Sequence, residues 1–83
     1  MFDQLKQIME LRKMQEEIKK HVVVVERRGV KLSMRGDFEV THLALNDQLD
    51  ARTQSTVVVA LLKEAREKIQ KELAQKLAGS MSA

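Results

Sequence analysis

The chain reads as an α+β protein: a helix, a three-stranded antiparallel meander, then a long C-terminal helix. Three observations predict this. Residues 21–46, HVVVVERRGVKLSMRGDFEVTHLALN, hold three β-rich runs separated by two glycine-containing turns. On both sides of that stretch, apolar side chains recur every three or four residues, the spacing of one helix face. The chain also contains no proline, so neither flank carries a residue that would break a helix.

The first helix is expected over residues 2–20. Phe2, Leu5, Ile8, Met9, Leu11, Met14 and Ile18 form its apolar positions, and the three methionines, Met1, Met9 and Met14, read as adaptable packing groups. Glu16 and Lys20 are an i,i+4 pair in the favourable order. Strands are expected over 22–27, 30–35 and 38–45. Val22–Val25 is a β-branched run, and Val30–Arg35 alternates apolar with polar, which puts one side of a strand against a core. Arg28-Gly29 and Gly36-Asp37 have the composition of two-residue hairpin loops, because glycine reaches positive φ without steric cost. In the third strand the apolar parity changes between Val40 and Leu43. A bulge near Thr41-His42 reconciles the two halves, since one extra residue flips every later side chain; the alternative is a strand buried on both faces.

Asn46–Asp50 is polar and turn-like, with Asp50, Thr53 or Ser55 able to cap the helix that follows. That helix is expected over 51–78, on a stripe of Val57, Val58, Leu61, Leu62, Ala65, Ile69, Leu73 and Leu77. Val57–Val59 forms helix poorly on its own, and tertiary packing must override that preference. Gly79 sits where a C-cap belongs, and residues 80–83 are expected to fray. Both helices are expected to cover the apolar face of the sheet. At about 1.5 Å per residue the second helix runs roughly 42 Å, longer than so small a domain is wide. Its later half narrows to Ile69, Leu73 and Leu77, a thin seam suited to a partner helix. Either the first helix or a second subunit supplies that partner, and a homodimer is predicted.

Composition narrows the function classes. Eighty-three residues make one domain, 1–83, near the lower size at which a core suffices. There is no cysteine, which excludes disulfides and thiolate metal sites. The first residues do not read as a secretory signal, and no run is long enough to span a bilayer. A cytoplasmic location without membrane partners is the expectation. Net charge is +3 and is spread evenly along the chain, so any basic surface must be assembled by folding.

The order of elements, with the local sequence, resembles the YbaB/EbfC family of bacterial nucleoid-associated DNA-binding proteins. Lys13-Met14-Gln15-Glu16-Glu17-Ile18 is similar to that family's first-helix signature, and a valine-rich strand follows directly, as it does there. Gly29-Val30-Lys31-Leu32 resembles the family's second strand, and Arg35-Gly36 its turn. Leu43-Ala44-Leu45-Asn46 resembles the end of its third strand, and Ala60–Ala65 falls at its final-helix motif. The chain departs from the pattern in lacking the glycine-rich opening and the proline after the third strand, and in carrying Lys63 where the family has asparagine. The resemblance implies an interlocked homodimer that binds double-stranded DNA in the nucleoid, with no cofactor and no catalytic residues.

The chemistry that follows is phosphate neutralisation by lysine and arginine. Lys6, Arg12, Lys13, Lys19, Lys20, Lys63, Arg66, Lys68, Lys71 and Lys76 are the candidate DNA contacts, with Arg27, Arg28 and Arg35 in second rank. The plainer reading is that these are solvated helix faces balanced by neighbouring glutamates. The expected dimer interface draws on Val30, Leu32, Leu62, Ile69 and Leu73. Phe2 and Phe38 are the only aromatic residues, too few for the stacking platforms of single-strand binders, and no helix-turn-helix or zinc finger is present. Duplex contact with little sequence preference is therefore expected. His21 and His42 lack metal-ligand spacing, and Asp47 with Asp50 reads as a cap before it reads as an acid–base pair. No small-molecule substrate, metal or enzymatic activity is expected. The competing reading is a dimeric protein–protein scaffold.

Overall fold

The structure of the protein, a computed structural model, describes residues 2–81, and the side-chain surroundings of residues 4–76. Helix α1 spans Phe2–Lys20, strands β1, β2 and β3 span Val22–Arg27, Val30–Arg35 and Val40–Ala44, and helix α2 spans Ala51–Met81. The strands form one antiparallel sheet in the order β1-β2-β3. The fold is α+β.

One face of the sheet and one stripe of α2 make the core. Val23 and Val25 of β1 and Val30, Leu32 and Met34 of β2 alternate inward, as a period-two strand requires. Val57, Leu61, Ala65 and Ile69, each four residues apart, meet them from α2. Burying each large side chain contributes about 1.5–3 kcal/mol, which outweighs the weak helix preference of Val57–Val59. Helix α2 runs antiparallel to β1, with Arg27 facing Glu64 at one end (3.4 Å) and His21 facing Glu72 at the other (2.7 Å).

Both turns are closed by residues in the left-handed region, and they differ in how. Arg28 (φ 54°) and Gly29 (φ 81°) are both left-handed, the two-residue turn whose twist matches the strands. The second turn is longer than the expected Gly36-Asp37 loop. Phe38 N–H donates to the Arg35 carbonyl (2.9 Å) and Arg35 N–H to the Glu39 carbonyl (2.9 Å), so Gly36, Asp37 and Phe38 all lie in the loop. The left-handed residue is Phe38 (φ 66°) rather than a glycine, and β3 consequently begins at Val40 instead of residue 38. Gly36 serves another purpose: any side chain there would collide with the Ile18 carbonyl. Within β3, Leu43 opposes Leu32 and Val40 opposes Met34, with one residue too many between them. This bulge at Thr41 puts Val40 and Leu43 on the same face of the sheet.

Asp50 caps α2, its carboxylate accepting from the Thr53 N–H (2.6 Å). The helix then continues through Gly79 to Met81, past the expected cap. Glycine inside a helix costs only about 1 kcal/mol relative to alanine, and no proline follows to force a stop. Residues 82–83 and the side chains of Phe2 and Leu77 lie outside the described residues.

Helix α1 does not cover the sheet. Leu5, Ile8, Met9 and Leu11 are all more than half exposed. Only the last turn is anchored: the Gly36 N–H donates to the His21 carbonyl (2.7 Å) and the His21 N–H to the Glu17 carbonyl (3.0 Å). These bonds aim α1 away from the body. The radius of gyration is 16.9 Å and the longest extent 59 Å, against a radius of about 12 Å for a compact chain of this length. The protomer is elongated, and part of its apolar surface is left uncovered.

Candidate nucleic-acid interface

Among the described residues no polar or charged side chain is buried, so each is open to the surface. All ten candidate DNA contacts are exposed. On α1, Lys6, Lys13 and Lys20 follow one another at seven-residue spacing, about two helical turns, and so share one line along the helix. Arg12 and Lys19 share a second line. Ile8, Leu11 and Ile18 lie on the side of the helix away from the lysine line, by the same rotation of about 100° per residue. Among the described residues no ion pair involves Lys6, Arg12, Lys13, Lys19 or Lys20.

On α2 the candidates are divided between flanks. Lys63 and Arg66 border a shallow groove of about 450 Å³ with Val59 and Leu62. The Arg66 guanidinium stands 6.0 Å from the centre of the Phe38 ring, at the outer limit of a cation–π contact. That contact marks this flank as the one beside β3. Lys68 and Lys71 stand four and seven residues after Glu64, which faces Arg27, and therefore lie on the β1 flank. Lys76 joins Lys20, Glu17 and His21 around a cleft of about 410 Å³ where α1 meets α2. Here candidates from the two helices come together. Within one protomer the ten do not form a single basic face.

Two of the three second-rank arginines are already engaged through their side chains. Arg35 pairs with Asp37 (2.7 Å) and with Glu39. The hydrogen bond from Arg35 holds the Asp37 carboxyl below its usual range, and the same bond raises the Arg35 guanidinium further. Arg27 faces Glu64, whereas Arg28 is held through its backbone carbonyl, which accepts from the Asn46 amide (2.9 Å). Three of the five expected interface residues are also spent: Val30, Leu32 and Ile69 are fully buried between the sheet and α2 of the same chain. They have no surface left for a partner. Leu62 and Leu73 are half-buried against the same core.

His42 is exposed and opposes Ser33 on the open face of the sheet. No group of three or more metal-binding side chains occurs among the described residues. Nor is any described helix long and apolar enough to cross a membrane.

Two residues make organising contacts that sequence spacing does not specify. Asn46 ties three segments together: its amide reaches Arg28, its side-chain oxygen accepts from the Gln48 N–H (3.1 Å), and its own N–H donates to Gln54 (2.7 Å). Glu72 reaches His21 across 51 positions of chain, a pairing that no local spacing encodes. Comparison of the chain with protein-family models, with curated proteins and with solved structures finds no match in any of the three.

Proposed function

We propose that this protein binds double-stranded DNA as a homodimer of the nucleoid-associated YbaB/EbfC type, through lysine and arginine contacts to phosphates and with little sequence preference. One observation carries the reading: α1 stands clear of the body with Lys6, Lys13 and Lys20 in line along it and free of ion pairs among the described residues. From Lys6 to Lys20 is about 21 Å, the length of roughly six base-pair steps. Two copies would present at least six such contacts. Contacts of that number make affinity fall about 10³-fold between 50 and 200 mM salt. Fluorescence anisotropy with a labelled duplex at those two concentrations tests the proposal, with unrelated duplexes competing equally. Absence of binding at 50 mM refutes it.

A second reading is supported by a different observation. The apolar side chains Leu5, Ile8, Leu11 and Met14 of α1 are open to solvent, which suits a scaffold that docks a protein partner. The same titration separates the two, because a scaffold without DNA affinity leaves the duplex free even at low salt.

A further inference from the structure

His21 is the single residue between α1 and β1, and three of its polar groups are bonded to three different parts of the chain. Its N–H donates to the Glu17 carbonyl (3.0 Å), at the end of α1. Its carbonyl accepts from the Gly36 N–H (2.7 Å), in the turn between β2 and β3. Its ring Nε2 lies 2.7 Å from Oε2 of Glu72 on α2. An ionised carboxylate accepts and does not donate, so the ring is the donor. The two side chains are 17% and 36% exposed, which shelters the bond from much of the water that weakens an open one. Glu17 and Lys20 of α1 and Lys76 of α2 stand around the same cleft. The two ends of the bond differ in rigidity. Glu72 follows Ile69 by three residues, and Ile69 is fully buried against the sheet, so the core fixes that part of α2. Helix α1 has no such packing at Leu5, Ile8 or Leu11.

We propose that Glu72 is a positioning residue for duplex binding: through the His21 ring it holds the root of α1 to α2, and so sets the direction in which the lysine line projects. The inference rests on the duplex-binding reading above and names what holds the contact helix in place. Length makes the root matter. Lys6 stands 15 residues before His21, about 22 Å along a helix. A swing of about 20° at the root moves Lys6 by about 8 Å, more than two base-pair steps of ~3.4 Å. Lysines that arrive already aligned bind without the ordering cost of a swinging helix. Glu72 therefore acts against its own charge. A carboxylate at this junction repels phosphate, so on charge alone the chain would bind duplex better without it. Its favourable effect is geometric, and the two effects have opposite signs.

Two variants separate them. Glu72→Ala removes both the acceptor and the charge, whereas Glu72→Gln removes the charge and keeps an oxygen for the ring. The chain contains no cysteine, so Gln7→Cys and Gln70→Cys, both at exposed positions, accept a pair of spin labels. Pulsed electron–electron double resonance then reads the distance from α1 to α2 in full-length protein diluted with unlabelled chain. Duplex affinity is read by anisotropy on proteins without the labels. Glu72→Ala is expected to broaden the distance distribution about twofold or more. It should also weaken duplex binding about threefold or more at 50 mM salt, with the salt slope unchanged because no phosphate contact is removed. Glu72→Gln should keep the narrow distribution and bind at least as tightly as the unaltered chain. A distribution in Glu72→Ala as narrow as in the unaltered chain overturns the joint, whatever the DNA result. A broadened distribution with duplex binding as tight as that of Glu72→Gln overturns the positioning role and leaves the duplex reading standing. An unaltered chain that does not bind duplex at 50 mM salt removes that reading and the positioning role with it, while the distances still decide the joint.

Discussion

Gly36 offers a test whose sign alone is decisive. Its φ lies outside the left-handed region, so alanine fits its backbone conformation. On that ground alone Gly36→Ala stabilises by about 0.4–1 kcal/mol, through a less flexible unfolded chain. The structure predicts the opposite. A Cβ at position 36 would run into the carbonyl of Ile18, a backbone atom in the last turn of α1 that cannot swing aside as a side chain would. Relief requires α1 to move off the turn. That movement breaks the 2.7 Å bond from Gly36 N–H to the His21 carbonyl, worth about 1 kcal/mol net. The residual crowding adds about 1–3 kcal/mol. After the unfolded-state gain is deducted, the net loss is about 1–3.5 kcal/mol, which for a chain of this size lowers Tm by roughly 5–30 °C. Thermal denaturation followed by far-UV circular dichroism, at one protein concentration for both proteins, reads it. An unchanged or raised Tm refutes the close approach, and with it the account of how α1 is aimed.

Three further outcomes are expected. Arg28→Asn replaces a left-handed arginine (φ 54°) by the residue best suited to precede glycine in this turn, and should stabilise by about 0.5–1 kcal/mol in chemical denaturation. Asp50 accepts hydrogen bonds from the Thr53 hydroxyl and backbone N–H, which hold its carboxyl below the ordinary 3.8. A depressed folded-state value means that the contribution is complete above the unfolded value and is lost as pH falls through the folded one. Asp50→Ala should therefore lower Tm at pH 7 and lose less stability than the unaltered chain when acidified below about pH 4. Replacing Lys6, Lys13 and Lys20 together by glutamine should reduce the slope of log affinity for duplex DNA against log salt by about three per protomer, measured by anisotropy.

Local regularities carried most of the fold. The alternation of Val30, Leu32 and Met34 and the four-residue recurrence of Val57, Leu61, Ala65 and Ile69 are short-range patterns, and the buried core is built from them. The parity change from Val40 to Leu43 was legible for the same reason, since a bulge leaves a mark within a few residues. Long-range contacts left no such mark. Nothing near Gly36 announces that Ile18 passes close by, so the glycine reads as a turn residue while Phe38 takes the left-handed position. The apolar stripe of α1 looks like any core-facing stripe, and only the anchored junction at His21 shows that it points away from its own sheet. Charge was the least legible property. Glutamates and lysines alternate on both helices, and sequence spacing does not say that Arg35 is engaged by Asp37 and Glu39 while Lys13 has no ion pair among the described residues.

That difference between a charged residue and an available one bears on Lys63 and Arg66. Both border a groove that they share with Glu67, and the Arg66 guanidinium stands over the Phe38 ring, so phosphates reach them less readily than they reach Lys6 or Lys13 on the projecting α1. Equal replacements should then have unequal effects. Lys63→Gln with Arg66→Gln should leave the salt dependence of duplex binding, measured by anisotropy, within about one unit of slope, whereas the α1 lysines each contribute about one. If instead the α2 pair lowers the slope by as much per residue as the α1 lysines do, the outer flank of α2 meets the DNA as closely as α1 does.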